Sequence, residues 1–153
     1  MILIRNATTR DLGTIVLFNE KMARETERKK LNHDKLEKGV SRVLASPEKG
    51  FYLVAEIDSE VVGQLLITTE WSDWRNCDFW WIQSVYVRPD SRRMGVYHQL
   101  YEKVIDLAKE KGDVCGIRLY VEKSNHSALK TYQSLVMTET HYIMMETQFA
   151  END

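Results

Sequence analysis

Two cysteines, two prolines and seven glycines among 153 residues leave little material for a disulfide scaffold, a collagen-like repeat or a flexible linker. Cys77 and Cys115 stand far apart, with no CxxC or His-rich spacing beside them. Neither a zinc site nor a disulfide framework is suggested, which fits a reducing compartment. Charge of one sign is also lacking: 21 Lys and Arg face 23 Asp and Glu, for a net charge of −2. Proteins that track phosphate backbones carry a basic surplus, so nucleic acid is not expected as a partner. The longest apolar runs, Ile15–Phe18 and Phe79–Ile82, fall far short of the ~20 residues that span a bilayer. The opening MILIRN turns polar too early for a signal peptide. The expectation is one soluble, cytoplasmic domain over 1–153, with 43% hydrophobic residues to build its core.

What is present reads as alternating elements. Ile2 to Arg5 is a short strand, and Thr9 or Asp11 caps a helix carrying Leu12, Ile15, Val16, Met22 and Ala23 at helical spacing. Asn32 caps a second helix along Leu36, Val40, Val43 and Leu44, stopped by Pro47 and Gly50. Phe51–Ala55 and Val61–Thr69 flank the turn Asp58-Ser59-Glu60 as a hairpin. Trp71–Asp78 reads as a polar connection, and Phe79–Val87 as a strand closed by Pro89. A helix over Val96–Lys111 ends at Gly112. A strand follows through Ile117, Leu119 and Val121, then a helix from Ser124 or Asn125 to about Leu135. Thr138–Thr147 reads as a closing strand. The order βααβββαβαβ implies an α/β (α+β) fold with helices covering both faces of a mixed sheet.

The stretch Ile82–Tyr97, IQSVYVRPDSRRMGVY, concentrates the chemistry. A strand runs through a basic loop into a helix start, whose unpaired N–H groups and dipole favour an anion. Arg92 and Arg93 add cationic donors, and Gly95 lets the backbone approach closely. Such a turn can hold a phosphate or pyrophosphate, although a plain basic helix cap has the same composition.

Arg92-x-x-Gly95-x-Tyr97, followed by Asn125, Ala128 and Tyr132 in the pattern Asn-x-x-Ala-x-x-x-Tyr, resembles the GNAT superfamily of acetyl-CoA-dependent N-acetyltransferases. The opening IRNATTRDLGTI is similar to that family's first strand and helix. The resemblance implies a GNAT-type mixed, mostly antiparallel central sheet with helices on both faces. It implies acetyl transfer from acetyl-CoA to a primary amine of a small molecule, peptide or protein, by direct attack in a ternary complex. Backbone groups of Val85, Tyr86 and Val87 would pair with the pantetheine arm as an added strand. Amides of Arg92, Arg93, Met94, Gly95, Val96 and Tyr97 would wrap the pyrophosphate. Asn125 would bond the cofactor, and the Tyr132 hydroxyl would contact its sulfur and protonate the departing thiolate. Tyr97 departs from the family's small residue, so its side chain must turn away from the cofactor. Val136-Met137 replaces the family's common Gly-Phe.

The general base is open. Alignment on the loop puts Trp81 where some members carry a glutamate, and tryptophan takes no proton. Glu70 is the first candidate, with Glu25, Asp73 and Asp78 behind it; a water chain or unassisted deprotonation is the alternative. Trp71, Trp74, Trp80 and Trp81 either fill core and shield a loop or wall an aromatic acceptor site. Asn125 reads equally as a helix cap, and Tyr132 as packed core. The four histidines show no ligand spacing, so no metal is expected. A homodimer through the sheet edge or last strand follows from the resemblance alone. The rival function is a non-catalytic acyl-CoA-binding or sensing module on the same fold.

Overall fold

The computed structural model describes residues 1–149, which form two compact units, 1–119 and a second beginning at Tyr120. In the first unit, strand β1 (Leu3–Asn6) leads into helix α1 (Leu12–Glu27) through a single 3-10 turn, Thr9–Asp11. Helix α2 (His33–Ala45) follows, and Asn32 caps it by accepting from the Lys35 amide at 2.9 Å. Strands β2 (Phe51–Ile57), β3 (Glu60–Ser72) and β4 (Cys77–Val87) form an antiparallel meander. Helix α3 (Val96–Lys111) crosses back to β5 (Val114–Arg118), which lies parallel to β4. The sheet order is β1-β2-β3-β4-β5, mixed and mostly antiparallel as expected.

Period-two alternation divides the sheet's side chains between two cores. Leu53, Ala55, Leu65, Ile67, Trp80 and Ile82 point at Val96, Leu100, Val104 and Ala108 of α3. Tyr52 and Leu66 point the other way, at Ile15, Val16 and Val40 of α1 and α2. Helices therefore cover both faces. Gly63 lets α3 approach: a Cβ there would lie 2.9 Å from Val96 Cγ1 and 3.3 Å from the Tyr86 carbonyl oxygen. The first turn of α3 is thereby held tight against β3 and the end of β4.

Several boundaries differ from the sequence reading. Trp71, Ser72, Cys77 and Asp78 belong to strands, because the β3–β4 hairpin continues to Ser72↔Cys77. The strand expected to end at Val121 ends at Arg118, where its pairing with Trp81 stops. Cys77 and Cys115 are joined as a disulfide with Cα atoms 5.7 Å apart, contrary to the expectation of no such link. Parallel pairing brings the starts of β4 and β5 side by side, a proximity that spacing along the chain does not reveal.

The second unit contains helix α4 (His126–Ser134), capped by Asn125, whose Oδ1 accepts from the Ala128 amide at 3.2 Å. Residues 138–147, expected as a closing strand, make no strand. Their alternating apolar pattern has no ladder partner among the described residues, and Tyr142, Ile143, Met144 and Met145 are exposed. Among the described residues, no helix is long and apolar enough to cross a membrane.

Candidate active site

The site grows out of an irregularity in β4. Gln64 pairs with Tyr86 and Leu66 with Gln83, so Leu65 alone faces two residues, Ser84 and Val85. This is a β-bulge, and Ser84 adopts φ 51° to make it. The Ser84 carbonyl oxygen accepts from Gln64 Nε2 at 3.1 Å, and the same amide donates to Asn19 Oδ1 at 3.2 Å. Asn19 Nδ2 in turn donates to the Tyr52 hydroxyl at 3.3 Å. Gln64 and Asn19 are buried, so the network locks the bulge from beneath. Burial pushes the Tyr52 phenol above its ordinary range.

Pairing with β5 covers β4 only from Asp78 to Trp81. Beyond Trp81 the strand has no ladder partner on that side within the sheet, and this open stretch holds Val85, Tyr86 and Val87. An edge of this kind can accept a further strand-like ligand through its N–H and C=O groups.

The loop after β4 is tied back to the end of the same stretch. Arg92 Nε donates to the Val87 carbonyl oxygen at 2.8 Å, and its other arm meets Glu25 Oε2 at 2.8 Å. The guanidinium also lies 5.6 Å from the Tyr86 ring centroid. Burial first, and Glu25 second, raise the Tyr86 phenol. Arg93 and Gly95 take left-handed φ values of 64° and 81° on either side of Met94. For Arg93 that conformation is strained, a state that collects at ligand clamps. A Cβ at Gly95 would meet nothing within 4 Å, so the backbone there faces open space. The first N–H groups of α3 follow directly, free of intrahelical partners. Val96 is buried in the core, and Tyr97 packs against the α3 side, its ring 6.4 Å from that of Tyr101. The loop therefore offers an anion its amides, with Arg93 and Met94 exposed beside them.

Of the carboxylates considered as base, Glu70 and Glu25 occupy different ends of β4. Glu70 pairs with Phe79, and its oxygens accept from Trp81 Nε1 at 3.0 Å and Arg118 at 3.2 Å. Arg118 also covers the Phe79 ring at 3.5 Å. Glu70 is five residues of strand from Ser84, roughly 16 Å at ~3.3 Å per residue. Asp73 lies in the β3–β4 turn and Asp78 on β4 opposite Trp71, both toward the Glu70 end. The four tryptophans do not form one wall. Trp80 is buried against Phe51 under α3, Trp81 is half-buried, and Trp71 and Trp74 are exposed.

Two hollows flank the bulge region. An open hollow of about 290 Å³ lies between α1, α2 and the sheet and reaches Ser84, Asn19 and Tyr52. A wider groove of about 670 Å³ runs from the early turns of α1 to Arg88–Asp90. Arg88 there is already paired with Glu60 and Asp90.

In the second unit, Asn125 and Tyr132 stand at the start and in the last turns of α4. Tyr132 is half-buried, and burial raises its phenol above the ordinary value, so it is protonated at neutral pH. Among the described residues no cluster of His, Cys, Asp and Glu could hold a metal ion.

The residues that sequence reasoning missed are Asn19, Tyr52, Gln64 and Ser84. Gln64 was the available signal: a lone amide inside the apolar run Val61–Ile67 must find partners when buried.

Comparison with known proteins points the same way. The sequence model of the Acetyltransferase (GNAT) family matches residues 16–135. A thialysine N-epsilon-acetyltransferase from Bos taurus is 31% identical over 146 residues, covering 88% of this chain and 82% of that protein. A solved structure described as a possible acetyltransferase from Clostridium difficile 630 is 44% identical. It covers 99% of both chains with a TM-score of 0.92. A structure described as a predicted acetyltransferase with acetyl-CoA from Clostridium acetobutylicum shares the fold at 18% identity and a TM-score of 0.79, over 96% of both chains.

Proposed function

Because the chain belongs to the GNAT acetyltransferase family, we propose that it transfers the acetyl group of acetyl-CoA to a primary amine in a ternary complex. The observation that carries the reading is the joined pair of bulge and loop. Among the described residues, one edge of β4 is left without a ladder partner over Val85–Val87, and the amide-rich turn Arg92–Tyr97 begins five residues further on. Val85 and Val87 would pair with the pantetheine arm, Tyr86 lying between them. The amides of Arg92, Arg93, Met94, Gly95, Val96 and Tyr97 would hold the pyrophosphate. Asn125 would add a hydrogen bond to the cofactor.

The chemistry asks three things of the protein: a neutral amine, a polarised thioester carbonyl and a proton for the leaving sulfur. A β4 amide released from the ladder by the bulge supplies the second. We assign the third to the Tyr132 hydroxyl, the role the family resemblance gives it. For the first, Glu70 would act only through a water relay, given its distance along β4 from the bulge. The amine reaching the site already neutral, its proton left in water, is the simpler route.

The Bos taurus relative, named a thialysine N-epsilon-acetyltransferase, supports an amine acceptor here. The test is calorimetric titration with acetyl-CoA, followed by thiol release with an amine panel. Binding with amine-dependent thiol release supports the enzyme. Binding without turnover on any amine supports the sensing module.

A further inference from the structure

Resting on that reading, we infer that the acceptor is a primary amine carried on an apolar body, an alkylamine or arylalkylamine, seated in the 290 Å³ cavity between α1, α2 and the bulge. Its walls are Met22, Leu31, Leu36, Val40, Val43 and Leu66. Among the described residues, none that lines it carries a charge. The polar groups gather at one place, where Asn19, Tyr52 and Ser84 meet at the bulge. An amine there would direct its nitrogen toward the irregular stretch of β4 and its carbon chain toward α2. At about 30 Å³ of liquid volume per water, the space equals roughly ten waters, the size of an amine with that many heavy atoms or fewer.

A second observation supports the assignment. Gly39 lines the cavity from the interior of α2, where glycine is unfavourable relative to alanine. A Cβ built there meets nothing within 4 Å, so packing does not demand the glycine. Gly39 is itself exposed, so a longer side chain there has space to grow over the hollow it lines.

The apolar lining also suits the reaction. The uncharged lining offers an ammonium no counter-charge, which favours the neutral amine. The neutral nitrogen attacks the thioester carbon and the C–S bond breaks. The nitrogen's surplus proton passes to water, while the thiolate is protonated. Amide and free coenzyme thiol are the products. A polyamine or an amino acid would bring further charges that no lining residue compensates.

The test measures kcat/KM at saturating acetyl-CoA for n-propylamine through n-hexylamine and 2-phenylethylamine, against spermidine and lysine. The expected gain is about three- to fourfold per methylene until the cavity fills. Lysine and spermidine should fall at least about tenfold below hexylamine. G39L should cut hexylamine at least about tenfold and move the chain-length optimum toward shorter amines, with G39A intermediate. Melting curves of each variant, with and without hexylamine, report folding and acceptor binding independently of turnover. Preference for spermidine or lysine, or an unaltered chain-length profile in folded G39L, overturns the inference. Loss of acetyl-CoA binding in calorimetry, with a hexylamine-dependent melting shift that G39L abolishes, overturns acetyl transfer and leaves the pocket assignment standing.

Discussion

Arg92 donates from Nε to the carbonyl oxygen of Val87 at 2.8 Å, tying the loop after β4 back to the open end of that strand. The same guanidinium pairs with Glu25 and covers Tyr86, so one side chain joins α1, β4 and the loop. Arg92→Ala should loosen the loop and weaken acetyl-CoA binding about fivefold. The ion pair is half exposed, which limits the effect to about 1 kcal/mol. Titration calorimetry of the two proteins measures it, and equal affinities would show that the loop needs no such tie.

Removing the Tyr132 hydroxyl should lower kcat by about 10²- to 10⁴-fold while acetyl-CoA affinity holds. Since burial raises this phenol, the protonated form persists through neutral and mildly alkaline pH. The wild-type rate should therefore show no alkaline fall from Tyr132 below about pH 10. A pH–rate profile of wild type and Tyr132→Phe checks both statements. Unchanged kcat in the variant would assign the thiolate's proton to another donor.

Glu70 is bonded by Trp81 and Arg118 at the end of β4 remote from the bulge. Glu70→Gln should leave the acid limb of the pH–rate profile in place and lower the melting temperature slightly. A flattened acid limb would identify Glu70 as the base acting through water.

The buried carboxylate of Asp11 takes both arms of Arg5 at 2.8 and 2.9 Å and the Thr8 amide at 2.7 Å. Arg5 is the main cause that holds it below the usual carboxylate range. Its folded pKa lies under the unfolded one, so its contribution is present above about pH 4 and is lost as pH falls through the folded value. Asp11→Asn should cost about 1–3 kcal/mol at neutral pH. Melting temperatures of both proteins from pH 7 to pH 2 should converge at the acid end. A gap that persists there would point to packing instead of charge.

The disulfide of Cys77 and Cys115 closes a loop with a sequence separation of 38. By chain-entropy reasoning its reduction should cost about 3–4 kcal/mol. Denaturant midpoints with and without dithiothreitol measure the difference, and thiol counting of the oxidised protein should find none free.

Most helices and strands could be read from local pattern. The bounds of α3 agree at both ends because a positive-φ glycine stands on each side, Gly95 and Gly112. The hairpin at Asp58-Ser59 agrees because both residues take left-handed φ, as a tight two-residue turn demands. The β3–β4 strands ran longer than expected because cross-strand pairing outweighs the polar composition of Trp71–Asp78. Residues 138–147 have strand composition, but a strand needs a neighbour, and composition does not supply one.

What the sequence determined by itself was the family and the order of elements from β1 to α4. Hydrophobic periodicity and a loop carrying Arg92 and Gly95 are local properties, written residue by residue. Tertiary structure alone decided the bulge at Ser84, the network of Asn19, Tyr52 and Gln64 beneath it, the apolar cavity beside Gly39 and the pairing of Cys77 with Cys115. Each joins residues that are distant along the chain. Their meeting depends on register across the sheet and on how closely the helices pack against it, and no single segment encodes either.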